Sequence, residues 1–175
     1  MLFDYERLSD DERLSLAALN DSKRLDRELR EQLYPRLLSA AAAVAVTARC
    51  VRGIDSRGLH VTNLAALRDC LARVARDGAV CLVDGFKVPD FGAPQRAIVE
   101  GDSTSAAIAA ASVIAKVTRD RYLHRASEGF PGYGFETSVG YSTPEHRAAI
   151  LANGITELHR RSFRSIAYNQ LALET

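Results

Sequence analysis

Two short apolar runs, each followed by an acidic residue, constrain the fold of this chain most strongly. One is AVCLVDG, which contains Asp84, and the other is RAIVEG, which is followed by Asp102. Short apolar runs that end in turns are typical of strands buried in a sheet. The second run leads into an alanine-rich segment, residues 105–126, that we predict to be a helix. Strands that alternate with helices predict an α/β fold.

The first half of the chain predicts further helices and one further strand. Ser9 and Glu12 have the spacing of a capping box, so a helix is expected to begin there. A second helix is predicted over residues 26–39, with a kink or a break at Pro35. The valine-rich run AAVAVTARCVR predicts a strand, and GLHVTNLAALRDCLARVARDG predicts a helix. The apolar face of that helix consists of Leu64, Leu67, Leu71 and Val74.

The second half is predicted to be rich in loops and helices. The loop SEGFPGYGFETSVGYS is followed by a short helix, with Pro144 in its first turn and Gly154 past its end. The rest is a basic, mostly irregular tail. Because the chain shows no repeat, linker or shift in composition, we predict a single domain over residues 1–175. Residues 127–175 form its C-terminal loop and helix region and tail.

Charge and cysteine content exclude several classes of protein. The formal net charge is +1, so any contact with nucleic acid must come from local basic patches. Cys50, Cys70 and Cys81 lack CxxC spacing, which favours buried reduced thiols over a disulfide framework or a zinc site. No apolar run is long enough to span a bilayer, and the N-terminus has no signal-peptide pattern. We therefore expect a cytoplasmic protein without membrane contact.

The two strand-end acids are the strongest candidates for chemistry. Ligand sites collect at strand ends in open α/β sheets, and two acids brought together there need a cation between them. Carboxylate oxygens suit Mg²⁺ or Mn²⁺, and a helix dipole favours an acid at a helix start. The alternative is structural: VDG is a common turn sequence, and Asp102 has the position to cap the next helix together with Ser103.

Aromatic side chains form a second group of candidates. The glycine-rich loop contains Phe130, Tyr133, Phe135 and Tyr141. Such rings stack on sugars or bases, and glycine allows the close approach of a backbone. The alternative, which we favour for the first three, is that the rings fill the space between a helix and the sheet.

Basic residues near both ends are candidates for phosphate contacts. HRRSFR contains Arg160 and Arg161, and Lys23 lies in DSKR. Ion pairs with helix acids are the alternative for each. The four histidines lack metal-ligand spacing, so we expect surface or packing roles for them.

Six segments of the chain, in order, resemble the ribonuclease HII family. They cover about residues 19–163, at the spacing of the family, and are LNDSKRL, LVDGF, GDSTSAAIAAASVIAKVTRDR, FPGYGF, VGYSTPEH and HRRSF. The resemblance implies an RNase H-like mixed sheet flanked by helices, with a helical C-terminal part. It implies cleavage of the RNA strand of RNA–DNA hybrids, and nicking on the 5′ side of a ribonucleotide embedded in duplex DNA. The implied chemistry is hydrolysis assisted by divalent ions held by carboxylates.

The resemblance also assigns roles to individual residues. Asp84 and Asp102 match the third and fourth acids of the family, which hold Mn²⁺ or Mg²⁺. Tyr141 matches the tyrosine that packs on the sugar at the junction of ribo- and deoxyribonucleotide. Lys23, Arg160 and Arg161 are implied to contact the nucleic-acid backbone.

The D-E-x-G-R-G motif of the family, which carries its first two acids, has no match in the chain. Asp11 and Glu12 are adjacent acids, but they lie on a predicted amphipathic helix. We expect the first strand and most of the second to be absent, with MLF as the end of the second. Half of the acids would then be missing, so we expect impaired activity. Open sheet edges would also favour instability or association.

Three hypotheses follow. The first is a ribonuclease HII whose start is placed too far downstream, or which is truncated; an in-frame upstream D-E-x-G-R-G would distinguish these. The second is a non-catalytic remnant that binds nucleic acid through Tyr141 and the basic tail. The third is a fragment that does not fold alone, against which a cooperative melt would count.

Overall fold

The structure, a computed structural model, describes residues 1–17, 19 and 25–163. The predicted α/β class is confirmed in that part of the chain. The helices are α1 (Asp10–Ala17), α2 (Arg27–Ala40), α3 (Val51–Arg57), α4 (Leu59–Val74), α5 (Gly101–Thr104), α6 (Ala106–Gly129), α7 (Phe135–Ser138) and α8 (Pro144–Asn153), and the strands are β1 (Cys81–Asp84) and β2 (Gln95–Ile98).

Contacts divide the chain into two compact units. The first unit consists of residues 1–48 and 60–117, and the second of residues 49–59 and the described residues from 118 onward. The single domain over residues 1–175 stays a prediction. None of the helices in the described residues combines the length and apolar character needed to cross a bilayer.

The sheet of the first unit positions the acidic site. Strands β1 and β2 pair in parallel, in a register that runs from Cys81 opposite Gln95 to Asp84 opposite Ile98. Both predicted strands are therefore confirmed. Because parallel strands end at the same edge, the residues that follow β1 and β2 begin side by side.

The core of the first unit is built on the first half of α6. Ala109 and Ala110 are buried there together with larger apolar side chains of the same helix. Small side chains allow neighbouring elements to approach this helix closely. The other members of this core are Leu8, Leu16, Leu19, Leu25, Leu33, Leu37, Ala40, Val113, Ile114 and Val117.

Two predicted helix starts are confirmed with their caps. The Ser9 backbone N–H donates to Glu12 Oε2 at 2.8 Å, and the Glu12 N–H donates to Ser9 Oγ at 3.3 Å, as a capping box requires. Helix α8 has Thr143 as its N-cap and ends before Gly154, whose φ is 77°. Of the kink or break predicted at Pro35, the break does not occur, because α2 runs through this residue; the kink stays a prediction.

Two other predictions from the first half need correction. The run AAVAVTARCVR does not form a regular strand: Ala43 makes a single antiparallel bridge with Leu2, and α3 begins at Val51. A strand needs a hydrogen-bonded neighbour along its length, and the described residues supply one only at Leu2. Cys50 is exposed rather than buried.

The second unit has its own apolar core. Tyr133 and Phe135 are buried, with 8 % and 2 % of their surface exposed, and their rings stack at 5.7 Å. Leu123 and Ile150 are buried beside them, and Phe130 packs against the cluster. The packing role that we favoured for the first three loop aromatics is therefore confirmed.

Candidate active site

Asp84 ends strand β1 with its side chain exposed. Its carboxylate Oδ1 accepts a hydrogen bond from the backbone N–H of Gly101 at 2.9 Å. The next residue, Gly85, donates its own N–H to Ile98 O of β2 at 2.9 Å. These two bonds connect the end of β1 to the end of β2 and to the segment that follows β2.

Asp102 lies directly after Gly101, in the first turn of the four-residue helix α5. Ser103 Oγ donates to Asp102 Oδ1 at 3.3 Å. Helix α6 begins at Ala106, and Ile108 N lies 3.5 Å from Ser105 Oγ, so Ser105 occupies its N-cap position. The alternative in which Asp102 caps the long helix is therefore wrong.

Gly101 packs closely between the Asp84 carboxylate and helix α6. A Cβ added to Gly101 would lie 2.5 Å from Ile108 Cδ1 and 3.3 Å from Asp84 Oδ1. The preceding residue, Glu100, has φ 52°, in the left-handed region. The chain therefore turns sharply after β2 and presses a backbone without a side chain between α6 and the Asp84 carboxylate.

The chemistry of this pair suits a hard divalent cation. A carboxylate has about four lone-pair positions, so the bond from Gly101 leaves most of the capacity of Asp84 unused. Carboxylate oxygens are the ligands that Mg²⁺ and Mn²⁺ prefer. Among the described residues, however, no group of three or more His, Cys, Asp or Glu side chains is placed to hold a metal ion. The donor type fits the expected metals, and the number of donors is small.

Tyr141 belongs to the second unit, on the loop between α7 and α8, with 56 % of its surface exposed. The Arg119 guanidinium lies over its ring, 5.6 Å from the centroid. Arg119 Nη1 also donates to Val139 O at 2.9 Å, which secures a turn in which Val139 and Gly140 both have positive φ. An exposed ring on a fixed turn is able to contact a ligand without rearrangement.

The basic candidates have different surroundings. Lys23 lies outside the described residues. The guanidinium of Arg160 stacks on the ring of Phe163 at 4.9 Å, and Arg161 is exposed. The backbone-contact roles of all three stay predictions.

Asp55 is a residue that sequence reasoning missed. Its carboxylate accepts the backbone N–H groups of Arg161 and Ser162, each at 3.0 Å, and the Ser162 hydroxyl at 2.6 Å. The hydrogen bonds from Ser162 are the main reason why the pKa of Asp55 is lowered. Because more than 100 residues separate the partners, no local pattern indicates this contact.

The expectation of packing roles holds for two histidines, which form a buried pair. Thr156 N–H donates to His159 Nδ1 at 3.0 Å, so the His159 proton is on Nε2 and points to His146 Nε2, 3.3 Å away. His146 then carries its proton on Nδ1 and donates to Tyr133 O at 2.7 Å. Burial, followed by the neighbouring His146, lowers the pKa of His159 to about 4. The His159 imidazole is therefore neutral at neutral pH.

Comparison with known proteins relates the chain to one family. Residues 6–166 match the model of the family described as ribonuclease HII. Ribonuclease HII of Nocardia farcinica is 43% identical over 151 residues, which are 86% of this chain and 60% of that protein. Ribonuclease HII of Bartonella bacilliformis is 43% identical over 154 residues, 87% of this chain and 69% of that protein.

Solved structures show the same fold. The ribonuclease H2 of Pyrococcus horikoshii superposes with a TM-score of 0.77 at 21% identity, covering 98% of this chain and 87% of that one. The RNase HII of Archaeoglobus fulgidus, in a complex with PCNA, gives a TM-score of 0.73 at 24% identity, with coverage of 90% and 84%. The α/β fold of this chain is thus that of the ribonuclease H2 type. The family match and the identity to curated relatives are more specific: the chain belongs to the ribonuclease HII family.

Proposed function

We propose that this chain is an endonuclease that hydrolyses the RNA strand of RNA–DNA hybrids and nicks duplex DNA 5′ of an embedded ribonucleotide. The observation that carries the proposal is the hydrogen bond from Gly101 N–H to Asp84, which holds the residue before Asp102 against the end of β1. Membership of the ribonuclease HII family supports the same activity. Cleavage would leave a 3′-hydroxyl and a 5′-phosphate. We place this activity in the cytoplasm, in the replication and repair of DNA.

Each candidate residue has a distinct part in this proposal. Asp84 and Asp102 would hold Mg²⁺ or Mn²⁺, which supplies an activated water and stabilises the leaving oxygen when bound. Gly101 sets the separation of the acids through its bond to Asp84. Tyr141 would pack on the sugar next to the ribonucleotide, where the 2′-hydroxyl distinguishes RNA from DNA. Lys23, Arg160 and Arg161 would contact backbone phosphates.

We also propose that hydrolysis by this chain is impaired. The described residues offer no cluster of three or more metal-ligating side chains, and loss of metal-site partners typically costs about 10- to 100-fold in activity. The same observation favours a second candidate function, in which the chain binds hybrid or ribonucleotide-containing duplex without cleaving it.

Incubation with a duplex that carries one ribonucleotide, in Mg²⁺ or Mn²⁺, tests both candidates. We expect slow nicking that Asp84→Asn and Asp102→Asn each abolish, whereas the exposed turn residue Asp77→Asn serves as a matched control and leaves it unchanged. Salt-dependent binding without nicking would favour the second candidate. Nicking as fast as that of the Nocardia farcinica relative would contradict the proposed impairment. If the chain neither binds nor nicks the duplex, both candidate functions are contradicted.

A further inference from the structure

Phe86 is an exposed aromatic side chain beside the strand-end acids. Its side chain is 62% exposed, more than any other aromatic residue in the described part of the chain. It lies two residues after Asp84, and its backbone N–H donates to Asp84 O at 2.9 Å. Two residues of backbone span at most about 7 Å, so this ring lies close to the acidic site.

The position of Phe86 is fixed from both sides. His60 contacts its ring edge-on, with 5.2 Å between ring centroids and 86° between the ring planes. On the other side, Val88 is buried, with 2% of its surface exposed. The Gln95 side chain holds Val88 through two bonds of 2.8 Å, one to its N–H and one to its carbonyl oxygen. The segment after β1 is therefore anchored at Val88, whereas the ring of Phe86 is open to solvent.

This exposure contrasts with the packing of aromatic residues elsewhere. Tyr133 and Phe135 in the second unit are buried in a cluster of four aromatic or imidazole rings. The ring of Phe86, in contrast, makes a T-shaped contact with the imidazole of His60, and both residues are exposed. The solvent-facing part of the Phe86 ring is therefore available to stack on a ligand.

We propose that Phe86, supported by His60, is a stacking platform for a nucleotide of the nucleic acid bound at the strand-end acids. In an intact duplex the base faces are covered by neighbouring base pairs, but each sugar presents an apolar face to an aromatic ring, so this contact does not depend on sequence. The neighbouring Lys87 is exposed and supplies a positive charge next to the ring for the adjoining phosphate. This inference rests on the proposed function, because it assigns a further substrate contact to the same site.

The absence of tryptophan from the sequence allows a direct test. Phe86→Trp introduces a single tryptophan, which keeps an aromatic ring at this position. A duplex with one ribonucleotide, added without metal to prevent cleavage, is expected to quench the tryptophan fluorescence by about half or more, because the indole comes into contact with a nucleotide. The matched control is Tyr5→Trp, an exposed aromatic position of the same unit, 52% exposed, which should not respond.

Affinity supplies a second measurement that needs no new fluorophore in the protein. Phe86→Ala is expected to weaken binding of a dye-labelled duplex by about tenfold, as loss of one base–aromatic stack does. Phe86→Leu should bind the duplex nearly as weakly, because it keeps apolar bulk without the ring. Phe86→Tyr should bind it like the natural chain. Circular dichroism of each variant checks that it folds.

The outcomes separate this inference from the proposed function. Duplex binding without quenching of Phe86→Trp, or equal quenching of Tyr5→Trp, would overturn the platform and leave the endonuclease proposal intact. Quenching and binding without any nicking in Mg²⁺ or Mn²⁺ would support the platform and contradict hydrolysis. No binding of any duplex would overturn both.

Discussion

The strand-end acids, Asp84 and Asp102, and the histidine pair, His146 and His159, are two groups of ionisable side chains in different surroundings. Asp84 is exposed at the end of a strand, and its carboxylate accepts a hydrogen bond from the backbone N–H of Gly101. The histidines are buried to 5% and 8% exposure, and each ring has both nitrogens in hydrogen bonds.

The difference teaches which of these groups is available for chemistry. A buried polar pair whose donors and acceptors match is stable because no bond is left unmade, and it has no capacity for a ligand. An exposed carboxylate that is oriented by the backbone keeps free lone pairs for a cation. Substitutions at Gly101, His159, Arg119 and Asp55 are expected to separate groups that serve a ligand from groups that stabilise the fold, with effects that decrease in this order.

The separation of the acids depends on Gly101. Gly101→Ala forces Ile108 or Asp84 to move, because the new Cβ would lie 2.5 Å from Ile108 Cδ1. A displacement of this kind typically costs about 10²-fold in rate, so we expect nicking to fall by that amount. The measurement is single-turnover nicking in Mn²⁺, with Gly92→Ala as the control, since nothing lies within 4 Å of the Cβ added there. Equal rates for both variants would show that the acids do not depend on this close approach.

The histidine pair predicts an acid-sensitive stability. In the unfolded chain an imidazole titrates near pH 6.5, whereas the pKa of His159 in the fold is lowered to about 4. Between these values the unfolded state binds a proton that the folded state does not, so stability is complete above pH 6.5 and is lost as pH falls toward 4.

Thermal melts between pH 4 and pH 8 measure this effect. His159→Gln should lower the stability at neutral pH by about 1–3 kcal/mol, because buried hydrogen bonds are lost, and should flatten the decline with acid. The exposed His124→Gln should leave the profile of the natural chain unchanged. A decline that His159→Gln retains in full would contradict the role of the pair.

Arg119 is expected to have a smaller effect, on the presentation of Tyr141. Arg119→Ala removes the cation over the ring and the bond to Val139 O, and an exposed cation–π contact contributes about 0.5–1 kcal/mol. Binding of the ribonucleotide-containing duplex should weaken by about threefold. Arg125→Ala on the same helix, also exposed, controls for the lost positive charge. If both variants weaken binding equally, the effect belongs to charge and not to the position of Tyr141.

Asp55 provides the smallest expected change. Asp55→Asn keeps the shape of the side chain but removes the charge and one acceptor for the Arg161 and Ser162 groups. We expect a small decrease in Tm at neutral pH and faster tryptic cleavage after Arg160 or Arg161, with the neighbouring Ser56→Ala as control. Since the pKa of Asp55 is lowered, its contribution should be present above the usual carboxyl range and lost as pH falls through the lowered pKa. Unchanged cleavage would show that other contacts hold this segment.

Several elements were predictable because their causes are local. The capping box at Ser9, the helix after Thr143 and the two strands around residues 81–98 each follow from a few neighbouring residues. The valine-rich run after Ala43 was predicted wrongly as a strand, because strand formation depends on a partner elsewhere in the chain. The alanine-rich helix predicted over residues 105–126 is confirmed as α6, but the short helix α5 before it was missed; the extended backbone of Ser105 separates the two.

By itself, the sequence determined the α/β class, the two acids at the strand ends, the aromatic loop that packs, and the resemblance to the family to which the chain belongs. Only the tertiary structure decided that Gly101 connects the acids, that Asp55 holds the HRRSF segment, and that two histidines share a proton network. It also left Phe86 exposed against His60. The physical reason is range: caps and periodicity act within a few residues, whereas these contacts join segments that only folding brings together.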